Sequence, residues 1–126
     1  MPHLTRFGRD SFPVVVPETD VHRVLLWANK RNRPELLDQY RIEVDVAPVS
    51  ITIFECRPPW RPGAGDPSWT RFPIARLRYT KSNKTWTIFW RDRNLKFHLY
   101  EPSAPTESLD ELLDEIDADR TGIFWG

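Results

Sequence analysis

Arginine and aromatic residues alternate along three strands that the sequence predicts between residues 74 and 101. Alternation gives one face of these strands a set of basic, aromatic and hydroxyl side chains: Arg76, Arg78, Thr80, Thr85, Thr87, Phe89, Arg91, Lys96, His98 and Tyr100. Guanidinium groups bind phosphate in bidentate fashion, and aromatic rings stack on nucleobases. The pattern is typical of a surface for an anion or a nucleic acid. The alternative is a solvated face, or a face covered by an acidic helix. Charged stretches are more often of this kind than binding sites.

The charge of the chain is neutral in total but uneven along its length. Lysine plus arginine and aspartate plus glutamate each number 18. Residues 57–96 hold ten basic residues and two acidic ones, whereas residues 107–119 hold seven acidic residues and no basic one. The two regions either neutralise each other, within the fold or across a dimer, or leave a basic face free for an anion. Zero net charge argues against a dedicated nucleic-acid binder.

Four residues on or beside predicted strands suggest acid–base chemistry, namely Glu55, Arg57, Arg76 and His98. A histidine beside a carboxylate can shuttle protons if the strands bring them together. The alternative is an ordinary cross-strand ion pair of Glu55 with Arg76 or Arg78. No nucleophile, metal-ligand set or oxyanion donor completes the cluster, so the prediction leans away from an enzyme.

Two further patterns resemble metal sites but are incomplete. Residues 117–122 resemble the opening of an EF-hand loop, but the chain lacks the glutamate of the twelfth position. An acidic helix end with a glycine C-cap explains the same residues. Cys56 and the three histidines lack metal-ligand spacing, so we expect no cofactor and a small core role for Cys56.

A proline-rich loop supplies the second candidate surface. Residues 57–69 include Pro58, Pro59 and Trp60 and cannot lie inside a helix or sheet. Tryptophans on a rigid loop are good interface anchors, although Trp60 can equally fold back over the core edge. We therefore expect a non-enzymatic binding module that uses loop 57–69, including Arg57, and the adjacent sheet face. Its partner is a protein or a second copy, with nucleic acid as the alternative.

Two helices are predicted, one near each end of the chain. The first begins at residues 17–20 and stops in residues 29–32, after an apolar stripe that includes Val21, Val24 and Ala28. The second begins with a capping box, Ser108 with Glu111, and its apolar residues follow at helical spacing. The apolar end of the chain, residues 123–126, is expected to dock on the sheet or on a partner. Residues 1–16 are predicted to be an arm and residues 17–126 a single domain.

Five strands are predicted between the helices. Residues 42–46 and 49–55 alternate, and a turn at Ala47 and Pro48 would set Ile51 opposite Val44 and Ile53 opposite Ile42. Three further strands, at residues 74–81, 85–91 and 96–101, follow one another through short turns. The expected fold is α+β, a four- or five-stranded antiparallel meander with an N-terminal and a C-terminal helix packed on it.

Composition restricts the class of protein further. A length of 126 residues fits one ordinary domain, and the single cysteine rules out an internal disulfide. The N-terminal residues contain neither a signal peptide nor a membrane span, so the protein is expected to be cytoplasmic, without membrane partners.

Several stretches stand in an order that resembles a known family. They are Arg57-Pro58-Pro59-Trp60, residues 74–79, 86–92, 96–100 and 112–119, and the terminal Gly122-Ile123-Phe124-Trp125-Gly126. From about residue 42 to the end, the chain resembles a family of small bacterial proteins catalogued only as a domain of unknown function. The resemblance implies a self-standing unit, and it carries over no activity, substrate, cofactor or functional residue.

Overall fold

The strands form one sheet in which spatial order follows chain order. The computed structural model describes the backbone of residues 5–7 and all atoms of residues 14–59 and 69–125. The strands are β1 (Thr5–Phe7), β2 (Arg41–Val46), β3 (Ser50–Arg57), β4 (Thr70–Thr80), β5 (Thr85–Arg91) and β6 (Phe97–Leu99). Strands β2 to β6 pair antiparallel, which confirms the predicted α+β meander. Strand β1, from the segment predicted to be an arm, adds a parallel pairing with β2.

The β2–β3 hairpin has the predicted buried face but not the predicted register. Ile51 lies opposite Val46 and Ile53 opposite Val44, two residues away from the predicted pairing. The turn is formed by Pro48 and Val49, and the Ala47 amide donates to the Ser50 carbonyl at 2.8 Å. Proline favours the second position of a turn, which moves the turn one residue along the chain. A shift of two residues preserves alternation, so the same side chains are buried.

Strand β4 begins four residues earlier than predicted, because a proline near its centre hides the pattern. Ile53 pairs with Ala75 and Phe54 with Pro73, which leaves Ile74 as an extra residue at a bulge. Proline is tolerated beside a bulge, where the ladder of hydrogen bonds is already interrupted. The bulge lets both Ile74 and Ala75 lie buried in the core.

The β5–β6 turn contains one more residue than predicted, and this reverses the faces of β6. Arg91 pairs with Phe97, and the Asp92 amide donates to the Lys96 carbonyl at 2.8 Å. The loop between Asp92 and Lys96 ends at Leu95, which adopts φ 63°. A three-residue hairpin loop normally ends in such a left-handed residue, usually glycine. The predicted alternation, with Lys96, His98 and Tyr100 on the arginine face, puts Phe97 and Leu99 on the other face; in the structure Phe97 and Leu99 lie on the arginine face instead.

Both helices pack on one face of the sheet. Helix α1 spans Glu18–Arg31 and helix α2 spans Leu109–Ala118, close to the predicted limits, and a 3₁₀ turn at Pro34–Leu36 follows α1. Their apolar stripes enclose a core with the inward residues of the strands. The buried core includes Val24, Ala28, Ile42, Val44, Ile51, Ile53, Leu77, Trp86, Ile88, Leu112 and Ile116. An Arg23–Asp110 pair at 2.8 Å joins the two helices.

Helix α2 begins after Ser108 as predicted, but not through the predicted capping box. The Ser108 side chain makes no capping hydrogen bond. The Glu111 carboxylate instead accepts a bond from the Thr106 hydroxyl at 2.8 Å, and that hydroxyl accepts the Ser108 amide at 3.0 Å. The hydroxyl that organises the first turn thus comes from two residues before the cap.

Candidate binding face of the sheet

The sheet face turned away from the helices is termed here the open face. Register and alternation assign the following residues to it: Glu43, Asp45, Thr52, Phe54, Arg71, Arg76, Arg78, Phe89, Arg91, Phe97 and Leu99. Both helices lie on the other face, so the acidic helix α2 does not cover these residues. The predicted alternative in which the acidic helix covers the basic face within the fold is therefore wrong.

In one half of the open face the arginine is paired with carboxylates, and we call it the paired half (Glu43, Asp45, Phe54 and Arg71). The Arg71 guanidinium pairs with Glu43 at 3.0 Å and with Asp45 at 2.9 Å, and it lies 4.0 Å from the centroid of the Phe54 ring. Cys56 is buried beside it, where burial and then the Glu43 charge raise the pKa of its thiol to about 11. Cys56 is therefore a buried residue, as predicted, and holds a protonated thiol at neutral pH.

The other half of the open face is the basic half (Arg76, Arg78, Phe89, Arg91, Phe97 and Leu99), and Arg76 is its centre. The Arg76 Nε donates to the Thr52 hydroxyl at 2.9 Å, and its guanidinium lies over the Phe97 ring, 4.1 Å from the centroid. Burial lowers the pKa of Arg76. Within the described ranges, no carboxylate pairs with this guanidinium. Arg76 is thus held in place while its terminal nitrogens lack an anionic partner among those residues.

A shallow depression of about 270 Å³ surrounds the Arg76 head group. Its lining is mixed, with two arginines, a hydroxyl and apolar side chains: Val49, Ser50, Arg76, Arg78, Phe89 and Phe97. Arg78 is exposed, Val49 leaves 42% of its surface exposed, and Leu99, opposite Phe89 on the same face, leaves 49% exposed. Such a lining suits a short segment that combines a negative charge with apolar groups.

Arg91 lies at the edge of the basic half. Its Nε donates to the Pro73 carbonyl at 2.7 Å, beside the bulge in β4. This bond fixes the arginine against the backbone. Arg91 therefore contributes positive charge to the open face, although one of its donors is already used.

Three residues predicted on the basic face lie elsewhere, because β6 is offset by one residue. Tyr100 is buried in the core, where its hydroxyl donates to Glu115 at 2.8 Å and burial raises its pKa. His98 is on the helix side, where its ring is tilted by 32° against that of Trp90 with the ring centroids 4.8 Å apart, and its Nε2 lies 2.8 Å from the Asp92 carboxylate. Lys96 belongs to the turn. The predictions for Lys96, His98 and Tyr100 as members of this face were wrong.

The predicted acid–base cluster is not assembled. Glu55 and Arg57 pair with each other at 2.9 Å on β3, and Arg57 also lies 5.3 Å from the Tyr40 ring centroid. His98 is three strands away, a separation of about 14 Å at the usual strand spacing. Arg76 is on the opposite face, so the expected ion pair of Glu55 with Arg76 or Arg78 is absent as well.

The predicted proline and tryptophan loop can be followed only at its ends. Trp60 lies outside the described residues, as do residues 61–68. At the far end, the Arg41 guanidinium lies over the Trp69 ring, with the Arg41 Cζ 3.9 Å from the ring centroid. Of the two predicted parts of the binding surface, the structure therefore describes the sheet face and, for the loop, only its ends.

The segment that resembles a calcium loop serves the fold instead. Asp117 accepts the Trp27 indole N–H at 3.1 Å and pairs with Arg31. The Asp119 carboxylate accepts the backbone amides of Phe124 and Trp125 at 3.0 and 3.1 Å. Across the described part of the chain, no three His, Cys, Asp or Glu residues are placed to hold a metal ion.

The apolar end of the chain docks within the domain, mainly against the helices, and not on the sheet or on a partner as predicted. Phe124 is buried next to Tyr100, with ring centroids 4.9 Å apart. Trp125 stacks on Trp27 and donates its indole N–H to the Ile116 carbonyl at 2.9 Å. Described tail residues therefore belong to the core of the domain.

Sequence reasoning missed the residues that position Arg76. Thr52 was not considered, and Phe97 was placed on the other face. Alternation along β3 and β4 would have placed Thr52 on the arginine side, but nothing in the sequence marks the left-handed Leu95 that determines where Phe97 points.

Comparison with known proteins confirms the family resemblance. The chain belongs to the family described as Domain of unknown function (DUF3024), whose model matches residues 12–126. No curated protein and no solved structure matches the chain. Among the described residues, no helix has the length and apolar character needed to cross a membrane.

Proposed function

We propose that this member of the family is a non-enzymatic protein-interaction module. Its basic half receives an acidic segment of a partner protein. The observation that carries the proposal is the state of Arg76, which is partly buried, fixed by Thr52 and Phe97, and unpaired with any described carboxylate. The single cysteine and the family resemblance favour a bacterial cytoplasmic setting for this interaction.

The Arg76 guanidinium is partly desolvated. Partial burial removes water from the charged group, and the lowered pKa of Arg76 reflects that cost. A carboxylate from a partner would replace the lost solvation with a bidentate, charge-assisted contact. Because the side chain is already ordered, binding would cost little further rotamer entropy.

Arg71 on the same strand provides an internal comparison. Its guanidinium is also stacked on a phenylalanine, but it is paired with two carboxylates of β2. Arg76 has the same stacked arrangement without the carboxylates. A partner that supplies an Asp or Glu side chain would give Arg76 the environment that Arg71 already has.

Two other occupants fit the basic half less well. A second copy whose two-fold axis passes through the basic half would set Arg76 and Arg78 close to their own equivalents, which is repulsive. For a nucleic acid, stacking would need free rings, but Arg76 already covers Phe97, and His98 and Tyr100 lie on the other face. The alternative of nucleic-acid binding through Arg76, Arg78 and Arg91 keeps its phosphate contacts and one ring for stacking, that of Phe89 on the open face.

The test is a selection of random displayed peptides on the purified protein. We expect the enriched peptides to carry Asp or Glu beside apolar residues. Their affinity should fall about tenfold or more on Arg78→Glu, the equivalent of about 1.4 kcal/mol. Arg33→Glu is the matched control, since it makes the same charge change at an exposed residue that lies outside the open face.

Two results would contradict the proposal. One is enrichment of peptides without acidic residues; the other is equal binding to the wild type and to Arg78→Glu. A labelled oligonucleotide serves as the second probe, at low and at physiological salt. Saturable oligonucleotide binding that weakens with salt and is lost in Arg78→Glu would replace the protein partner with a nucleic acid.

A further inference from the structure

The backbone of β6 has an unpaired side. In the β5–β6 pairing, the Asp92 amide donates to Lys96 and the Tyr100 amide donates to Ile88, so these residues form the hydrogen-bonded pairs. In antiparallel strands such pairs alternate with pairs whose backbone groups point outward. The amides and carbonyls of Phe97 and Leu99 therefore face away from β5. Among the residues that the structure describes, none forms a backbone hydrogen bond with them.

This edge is open and only partly protected. Natural sheet edges are usually shielded by short edge strands, charged side chains, prolines, bulges or a covering element; β6 has a length of three residues and the exposed Lys96 before it. Here Leu99 exposes 49% of its surface, and no proline or bulge interrupts Phe97–Leu99. An extended segment could therefore pair with two outward donors and two outward acceptors.

The same edge borders the basic half. Phe97 and Leu99 direct their side chains to the open face, and the Arg76 guanidinium reaches across β5 to lie over Phe97. A strand added beside β6 would lie about 4.8 Å beyond it, with every second side chain on the open face. A glutamate at such a position would point toward the Arg76 guanidinium across the Phe97 ring.

We propose that the acidic segment docks as an extended strand added to the free edge of β6, with its carboxylates on the open face. This inference rests on the proposed function and adds the mode of binding. Main-chain hydrogen bonds to Phe97 and Leu99 provide part of the affinity, while Arg76 and Arg78 select the acidic side chains.

The test uses a blocked synthetic peptide that alternates valine with glutamate, and a second peptide with lysine for glutamate. We expect the glutamate peptide to bind and the lysine peptide not to bind. On binding, the backbone amides of Phe97 and Leu99 should exchange with solvent about tenfold more slowly, as measured by NMR.

Leu99→Pro provides the matched variant. It removes an outward N–H and no hydrogen bond of the β5–β6 ladder, a position at which proline is tolerated. Leu99→Ala controls for loss of the side chain. We expect Leu99→Pro to weaken binding of the glutamate peptide about tenfold relative to Leu99→Ala.

The outcomes separate the two proposals. If the glutamate peptide binds without slowing exchange at Phe97 and Leu99, strand addition is refuted and the acidic segment lies on the face by side-chain contacts alone. If no acidic peptide binds, by selection or by synthesis, both proposals fail. A dimer in sedimentation that dissociates in Leu99→Pro would make a second copy the occupant and overturn the acidic partner.

Discussion

Replacement of Asn32 by alanine should destabilise the fold far more than its position at the end of a helix suggests. Asn32 is the C-cap of α1, and its side chain bonds to the backbone of Ile42 twice. Its amide donates to the Ile42 carbonyl at 2.9 Å, and its carbonyl oxygen accepts the Ile42 amide at 2.7 Å. The side chain thus acts as a short partner strand for β2, on the side away from β3 and next to the place where β1 pairs.

The expected loss follows from these two bonds. Each contributes about 1 kcal/mol net, and loss of a partner leaves a buried backbone group at a cost of about 1–3 kcal/mol. Because water can reach this half-buried position in part, we expect about 2–3 kcal/mol in total for Asn32→Ala. For 126 residues, that loss corresponds to a fall of Tm of about 8–11 °C.

The assay is urea and thermal unfolding followed by circular dichroism, with exchange of the Ile42 amide as a local measurement. Asn29→Ala is the control, since it changes the same residue type at an exposed position of the same helix. We expect that control to stay within about 0.5 kcal/mol of wild type. If Asn32→Ala also stays within that range, or if exchange of the Ile42 amide is unchanged, the Asn32 side chain does not act as a partner strand for β2.

Three further predictions concern other parts of the fold. Leu95→Gly should raise stability by roughly 0.5–1 kcal/mol, because Leu95 adopts φ 63°, whereas Leu95→Ala should bring no gain; equal gains in urea unfolding would contradict this. Hydrogen bonds from His98 and from the Lys96 and Asn94 amides hold the pKa of Asp92 at about 2, below its unfolded value of about 3.9. Its contribution to stability should therefore be present above pH 4 or so and disappear as pH falls toward 2, and unfolding of Asp92→Ala between roughly pH 5 and 2 should lack that part of the pH dependence; an unchanged slope would refute it. Phe124→Ala should lower the free energy of unfolding by about 3–5 kcal/mol because the ring is buried, whereas Leu36→Ala, at an exposed position, should lower it far less. If thermal unfolding shows as small a loss for Phe124→Ala as for Leu36→Ala, the tail is not part of the core.

Elements with a strong local signal were predictable from the sequence. Helix α2 has its apolar residues at helical spacing, and all of Leu109, Leu112, Leu113 and Ile116 are buried. Strand β5 has its predicted limits, because alternation and turn residues on both sides agree. The buried face of β2 and β3 was also correct, since a two-residue shift of register leaves alternation unchanged.

The parts that escaped prediction depend on single backbone positions or on contacts between distant residues. One left-handed residue, Leu95, reverses the faces of β6 and removes Lys96, His98 and Tyr100 from the basic face. A bulge at Ile74 allows β4 to continue through Pro73. The pairing of Asn32 with Ile42 and the stacking of Arg76 on Phe97 arise only in the assembled sheet. The arginines of the site could therefore be predicted from the sequence, but the contacts that hold Arg76 in place could not.

The contact between the two helices has a consequence for the order of folding. Strands β2 to β6 pair with their neighbours along the chain, so each hairpin closes a short loop. The α1–α2 contacts, by contrast, join residues 87 and 90 positions apart, as in Arg23 with Asp110 and Trp27 with Asp117. We expect the meander to form first and the helix pair to close after the transition state. Trp27→Phe, which removes the bond to Asp117, should then accelerate unfolding and leave the folding rate nearly unchanged. A chevron plot in which folding slows instead would place the helix contact in the folding nucleus.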